Sequence, residues 1–375
     1  MKRVASLLFA LTAVVAAPGC ETDDPLAPPV DTDGGAKGDG QGGELCDPDG
    51  ALALAPPPAC QIGATEYTPR DRASAGTRFP ACISDDNAYH PFQSDVPSNA
   101  RLAAIESIGR MLGWKEAKVP TADDFEQARV LYTQPEGVDS RVQRREDVHY
   151  PEAPKLCRDM TSDEIKQYPD RCVGPAKIIP LLNDAFDKGQ KGINPLLQAA
   201  RAEAALIWFM YVSYYKEGLG CQVELNQCDS TSAYWGGNQD RTAAPTGGLG
   251  RYIKDLSPEG YERGWDAVLA MRCWRDLDNP TGTGSNVELM NRVGVQLDRA
   301  GDHALALIVR HRLQNLGCGA AWETVKILGG VLDRAATVND AASAEILRNE
   351  LAKTDPQAVD VKAATSALEK AFPCP

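Results

Sequence analysis

The sequence has only four histidines, few aromatic residues and no surplus of positive charge. Lysine and arginine number 39 against 52 aspartates and glutamates, so the formal net charge is −13. Non-specific DNA or RNA binding depends on a basic surface, and we therefore predict no nucleic-acid partner, although a local basic patch is compatible with this balance. The motifs typical of zinc proteases, serine hydrolases, nucleotide-binding loops and dinucleotide folds are also absent. These absences favour a protein that is not an enzyme, without excluding catalysis.

The N-terminal segment has the layout of a secretory signal peptide. Lys2 and Arg3 precede a mostly apolar run over residues 4–17, and small residues follow it. As a helix this run would span about 21 Å, less than the roughly 30 Å of a bilayer's hydrocarbon core, which disfavours a permanent membrane span. We therefore predict that residues 1–19 direct export and are then removed.

The end of this segment predicts a lipid anchor. Ala17-Pro18-Gly19-Cys20 resembles a bacterial lipobox, in which the cysteine becomes the lipidated first residue. The alternative is ordinary cleavage after Ala17, which leaves Cys20 as a plain thiol. Lipidation of Cys20 predicts a membrane partner through the N-terminal anchor and a location in the cell envelope. Glu21, rather than an aspartate, follows the cysteine and favours the outer membrane.

Residues 20–76 are predicted to form a flexible acidic tether. The part from Glu21 to Glu44 is acidic, rich in glycine and proline, and nearly free of aliphatic side chains. Such a segment cannot bury enough apolar surface to offset the entropy lost on ordering. We therefore expect the folded domain to occupy residues 77–375.

The cysteines predict a disulfide framework. Of the 11 cysteines, an even number remains once Cys20 is set aside, and an exported chain meets an oxidising compartment. A zinc site would need C-x₂₋₄-C spacings, and none occurs. Proximity in sequence favours the pairs Cys46–Cys60, Cys157–Cys172 and Cys221–Cys228. Long-range pairing is then left for Cys82, Cys273, Cys318 and Cys374.

The hydrophobic pattern predicts a helical bundle. The segment from Ala204 to Tyr215 is almost wholly apolar, and strong helix formers precede it from Leu197. A helix that is apolar on all sides is surrounded by other helices, so this segment is expected at the centre. Gly301-Asp302 are predicted to form a turn between two further helices.

The remaining chain adds helices and long connections but hardly any strand pattern. The connections at 133–176 and 218–256 carry cysteines and are rich in glycine or proline. The sequence therefore predicts an all-α, multi-helix bundle with long disulfide-stapled loops. Two diverged helical halves, 177–216 and 286–336, are a further hypothesis.

Glu146 and His149 are the first candidate metal ligands. On a helix these positions would share one face, and Glu-x-x-His recurs in di-iron bundles. Those sites need a second such pair, which this sequence lacks. Arg144 and Arg145 favour the alternative that salt bridges hold Glu146 and the neighbouring acid.

Glu203 is the third candidate metal ligand. It lies near the start of the most apolar helix, where a buried carboxylate needs either a cationic partner or a bound ligand. Arg263 and Arg272 are the partners that an ion pair would use. Iron is the cofactor that these candidates would favour, and none is firmly predicted.

Three short motifs resemble those of imelysin-related periplasmic proteins and algal iron-assimilating proteins. They are Ile83-Ser84-Asp85-Asp86-Asn87-Ala88-Tyr89-His90, the helix around Glu203, and Ala233-Tyr234-Trp235-Gly236-Gly237. The resemblance covers the layout of residues 80–370 and implies an exported, all-α protein associated with iron uptake. The G-x-H-x-x-E signature of imelysins is absent, because Ala306 occupies the place of its glutamate. No metal ligand is therefore carried over from that family.

These features predict an exported, lipid-anchored helical binding protein that handles iron or another metal at the cell envelope. Its partner would be an envelope protein or a metal ligand. One alternative is a hydrolase that uses a pair of buried carboxylates. The other is a purely structural envelope lipoprotein.

Overall fold

The structure, a computed structural model, describes residues 52–69, 79–114, 118–237, 239–279, 282–317 and 319–375. The predicted signal peptide, Cys20, Cys46 and Cys318 lie outside these residues. The described residues belong to one compact unit, and every regular element among them is helical. The predicted all-α fold is therefore confirmed.

Thirteen α-helices occur in the described residues. They are α1 Pro97–Met111, α2 Ala122–Thr133, α3 Asp139–Val142, α4 Ser162–Ile165, α5 Ile179–Gln190, α6 Pro195–Gly220, α7 Leu225–Gly236, α8 Gly248–Ile253, α9 Pro258–Trp274, α10 Val287–Leu313, α11 Gly319–Asn339, α12 Ala341–Leu351 and α13 Val361–Ala371. No helix within the described ranges combines the length and the apolar character that crossing a bilayer requires.

Helix α6 lies at the centre of the bundle, as its composition predicts. Pro195 occupies its first turn, where the missing amide hydrogen costs no helical hydrogen bond. Side chains on all sides of α6 are buried, and α5, α7, α10 and α11 pack around it. The all-round apolar pattern thus reflects contact with neighbouring helices in every direction.

Helices α7 and α9 pack through two reciprocal tryptophan–glycine contacts. A Cβ atom at Gly264 would overlap the ring of Trp235, and one at Gly236 would overlap the ring of Trp265. Both indole rings are fully buried. The missing side chains therefore create the space in which each tryptophan lies against the opposite helix.

The predicted turn at Gly301-Asp302 is wrong, because α10 continues through both residues. Gly301 faces the rings of Tyr211 and Tyr214 of α6, and even a Cβ atom there would make only ordinary van der Waals contact with them. Asp302 is buried and accepts a hydrogen bond of 2.6 Å from the Tyr211 hydroxyl. Both residues therefore serve the contact between helices α6 and α10.

Four disulfides link described cysteines: Cys60–Cys374, Cys82–Cys273, Cys157–Cys172 and Cys221–Cys228. Cys157–Cys172 and Cys221–Cys228 are short-range pairs that proximity in sequence favours. Cys82–Cys273 joins two of the cysteines left for long-range pairing. The predicted pair Cys46–Cys60 is wrong, since Cys60 is bonded to Cys374. Proximity in sequence misleads here because residues near Cys60 run beside the C-terminal segment, where the Gln61 amide donates to the Cys374 carbonyl.

The folded region begins earlier than the predicted boundary at residue 77. Tyr67, which the sequence places in the tether, is 1% exposed and belongs to the hydrophobic core. Its amide donates to Gln296 at 2.8 Å, and its carbonyl accepts from the same side chain at 2.9 Å. Glu66 forms ion pairs with Arg263 and Arg299. Residues 52–69 are therefore part of the domain.

We expect removal of the Cys60–Cys374 disulfide to destabilise the domain more than removal of Cys221–Cys228. The first spans 314 residues and the second 7, and a longer closed loop restricts the unfolded chain more strongly. By this argument C60A/C374A should lose about 3 kcal/mol more than C221A/C228A in urea unfolding without reductant. Equal losses in the two variants would contradict a stabilisation that comes from loop closure.

Candidate functional site

The structure does not bring the three predicted metal ligands together. Glu146 accepts hydrogen bonds from the Cys157 amide at 2.9 Å and from Arg171 at 3.0 Å. Glu203 pairs with Arg312 at 2.8 Å, so neither Arg263 nor Arg272 fills the predicted role. The segment that carries Glu146 and His149 is not helical, and the i, i+3 argument therefore does not apply to it.

His149 is held between two carboxylates. Its Nδ1 lies 2.6 Å from Asp147, its Nε2 lies 2.8 Å from Asp298, and its ring stacks on Tyr215 with centroids 4.2 Å apart. Burial alone would lower the pKa of His149, but the hydrogen bonds to Asp147 and Asp298 raise it to about 9. The imidazole is therefore protonated at neutral pH, when neither nitrogen has a lone pair for a metal. No group of three or more histidine, cysteine or acidic side chains within the described ranges is arranged to hold a metal ion.

A pocket of about 430 Å³ lies beside this segment and contains an unusual concentration of positive charge. We call it the arginine pocket, and its cationic residues are Arg141, Arg144, Arg145, Arg158 and Lys216. Arg141 belongs to α3, and Arg144, Arg145 and Arg158 lie in the connection that follows it. Lys216 comes from the C-terminal part of α6.

Much of this charge has no nearby counter-charge. No carboxylate of a described residue lies within 4.0 Å of Arg141, Arg144 or Lys216. Burial, followed by repulsion from Arg141, Arg145 and Arg158, lowers the pKa of Arg144. Three acids line the pocket: Glu146 is paired with Arg171 and Glu217 with Arg145, whereas Glu224 accepts a hydrogen bond from Gln227. With five cationic and three acidic residues, the lining of the pocket has a net positive charge.

Arg145 forms part of the wall of the pocket and is held rigidly. It is 4% exposed, donates to Glu217 at 2.7 Å and lies over the ring of Phe209. Burial would lower the pKa of Arg145 and raise that of Glu217, but the attraction between the two groups reverses both shifts. This buried ion pair fixes the backbone from which Arg144 projects.

Two helix N-termini add to the positive potential. Ser98 of α1 and Asn226 of α7 line the pocket, each in the first turn of its helix. Neither helix has a side-chain cap that accepts hydrogen bonds from its first amides. The partial positive charge at a helix N-terminus favours anions. The arginine side chains and the two helix N-termini therefore both favour an anionic ligand.

The expectations drawn from the sequence do not include this pocket, although the sequence contains a signal for it. Four arginines fall within residues 141–158 of a chain that is strongly acidic. The sequence favours Arg144 and Arg145 as partners of the adjacent acids. The structure instead pairs Glu146 with Arg171, and so Arg144 is left at the mouth of the pocket.

Comparison with known proteins adds no relative from which a function could be inferred. The chain matches no protein-family model, and neither the curated proteins nor the solved structures contain a significant match to it.

Proposed function

We propose that this protein binds a small, multiply charged anion, such as a polycarboxylate or a polyphosphate, in the arginine pocket. The observation that carries this proposal is the cluster of Arg141, Arg144 and Lys216, none of which has a carboxylate of a described residue within 4.0 Å although the chain has a net charge of −13. Like charges held together are costly, and a bound anion would remove that cost. The protein would then act by binding, not by catalysis.

The size and chemistry of the pocket fit such a ligand. About 430 Å³ is within the range of pockets that hold small molecules. Guanidinium groups bind carboxylates and phosphates through two parallel hydrogen bonds, whereas an ammonium group such as that of Lys216 acts as a point charge. Several cations at one mouth favour ligands that carry more than one negative charge.

Export and lipid anchoring at Cys20 are part of this proposal. The signal-like N-terminus supports export, and so do four disulfides among the described cysteines, because disulfides persist in oxidising compartments. An anchor at Cys20 would hold the pocket at the cell envelope, with the outer membrane favoured. If the protein handles iron, the arginine pocket would accept it as an anionic chelate and not as a free ion.

A carboxylate-dependent hydrolase is less well supported. Asp298 and Asp302 form a close acidic pair, and burial followed by repulsion from Asp298 raises the pKa of Asp302 to about 7. Neither residue lines the arginine pocket or a second cavity, of about 310 Å³, that Asp147 and Trp208 line. A substrate in either space would therefore not reach this pair.

Isothermal titration of the purified protein with citrate and with tripolyphosphate tests the proposal. We expect R141Q/R144Q to weaken the binding by about 100-fold, since hydrogen bonds to charged groups contribute about 1.5–3 kcal/mol each. The affinity of the unaltered protein should also fall as the salt concentration rises.

The matched control is K166Q/R348Q, which makes the same change in net charge at exposed positions outside the pocket. It should bind both anions as the unaltered protein does. An equal loss of affinity in the two double variants, or no binding of either anion at millimolar concentration, would overturn the proposal.

A further inference from the structure

A second cavity, of about 310 Å³, lies between α5, α6 and α11. Trp208, Val173, Leu181 and Val331 contribute apolar surface to it. Asp147, Tyr150 and Asp170 contribute oxygen atoms from the long connection before α5. The cavity therefore combines an aromatic and aliphatic wall with two carboxylates.

The carboxylate of Asp147 has one oxygen available to a ligand. Its bonds to the amide and to Nδ1 of His149 both use Oδ1, at 3.0 and 2.6 Å. Neither Oδ2 of Asp147 nor the hydroxyl of Tyr150 makes a hydrogen bond to a described residue. His149 fixes the orientation of Asp147, because its ring is held between Asp147 and Asp298. The acceptor is thus both free and held in position.

The opposite side of the cavity already accommodates an ammonium group of the chain. Lys177 pairs with Asp170, and its Nζ lies 6.0 Å from the centroid of the Trp208 ring. A carboxylate beside an aromatic face is an arrangement that attracts organic cations. Lys177 balances Asp170, whereas the single charge of His149 is shared between Asp147 and Asp298. Three carboxylates thus share two cations, and Oδ2 of Asp147 remains as an acceptor for a positively charged group.

We propose that this second cavity binds a small organic amine with an apolar body. The ammonium group would donate hydrogen bonds to Asp147 and Asp170, and the aromatic or branched aliphatic body would pack on Trp208. The inference is independent of the proposed anion site, because the two sites share none of their lining residues. One connection of the chain supplies charged residues to both: Arg144 and Arg145 to the first, Asp147 to the second.

Titration with phenethylamine, observed by saturation-transfer NMR and calorimetry, tests this inference on the purified protein. Phenethyl alcohol and 3-phenylpropionate have similar apolar bodies, with neutral and negative groups in place of the ammonium. We expect the amine to bind at least about 10-fold more tightly than either analogue. D170N should lower the affinity for the amine by about 5-fold, as expected for the loss of one partly exposed ion pair. The exposed acid Asp163 provides the control D163N, which should leave binding unchanged.

A variant that fills the cavity gives a second readout. A Cβ atom at Gly330 would meet no atom within 4 Å, so G330W can place an indole in the cavity without displacing the core. It should abolish amine binding while citrate binding is retained. V338W, at an exposed position on the same helix, should affect neither. Equal affinity for the amine and the alcohol, unchanged binding in G330W, or no amine binding at millimolar concentration would overturn the inference.

Discussion

Replacing Gly264 with alanine should lower the free energy of unfolding by about 3 kcal/mol, the upper part of the usual range for overpacked cores. A methyl group at this position would overlap the ring of Trp235, which is fully buried and cannot move towards solvent. The same ring lies near Tyr214 and Tyr261, so a shift would disturb several neighbours. Urea unfolding followed by circular dichroism measures the effect.

Two comparisons make the cause identifiable. G330A changes a glycine in α11 whose added methyl group would meet no atom, and it should stabilise the protein by up to about 1 kcal/mol. In the background of W235L, G264A should lower the free energy of unfolding much less than it does alone, because the smaller leucine side chain leaves room for the methyl group. If G264A lowered the free energy of unfolding equally in the unaltered protein and in W235L, the contact with Trp235 would not be the cause of the destabilisation.

The second large effect is expected for D302N, and it depends on pH. Burial and the nearby Asp298 raise the pKa of Asp302 to about 7, against 3.8 for an unperturbed aspartate. A raised pKa in the folded state means that the unaltered protein loses stability as pH rises from about 4 to 7. Asparagine resembles the protonated acid and can still accept the hydrogen bond from Tyr211. The variant should therefore match the unaltered protein at pH 4 and exceed its stability at pH 8 by at most about 4 kcal/mol.

Urea unfolding at pH 4, 6 and 8 measures this difference. The control is D163N, at a side chain that is 89% exposed, and it should show no pH-dependent difference. If D302N were equally destabilised at all three pH values, the role of Asp302 would be that of a hydrogen-bond partner and not that of a buried acid with a raised pKa.

The architecture could be predicted from the sequence where local pattern decides the structure. The all-round apolar character of 204–215 identifies the central helix because burial on every side requires apolar residues on every side. The same kind of argument fails at Gly301-Asp302. A glycine followed by an aspartate is typical of a turn, but here the glycine faces two tyrosine rings of α6 and the aspartate accepts a hydrogen bond from one of them. Only the position of the neighbouring helix α6 distinguishes a Gly-Asp turn from a Gly-Asp pair inside a helix.

The candidate site was harder to predict because it depends on contacts between distant segments. Arg171 lies 25 residues from Glu146, and its ion pair with that acid determines that Arg144 is left without one. Lys216 and the first turns of α1 and α7 reach the pocket from three other parts of the chain. Charge counting can locate the arginines of 141–158, but it cannot show which of them are already neutralised.

The bond between Cys60 and Cys374 turns nearly all of the domain into a covalent ring. A protease that cuts the backbone once, anywhere between these two cysteines, leaves both pieces joined. Residues 157–172 and 221–228 lie within smaller rings of the same kind. A single nick would therefore leave the fragments tethered, and they could regain their shape around the intact sulfur bridges.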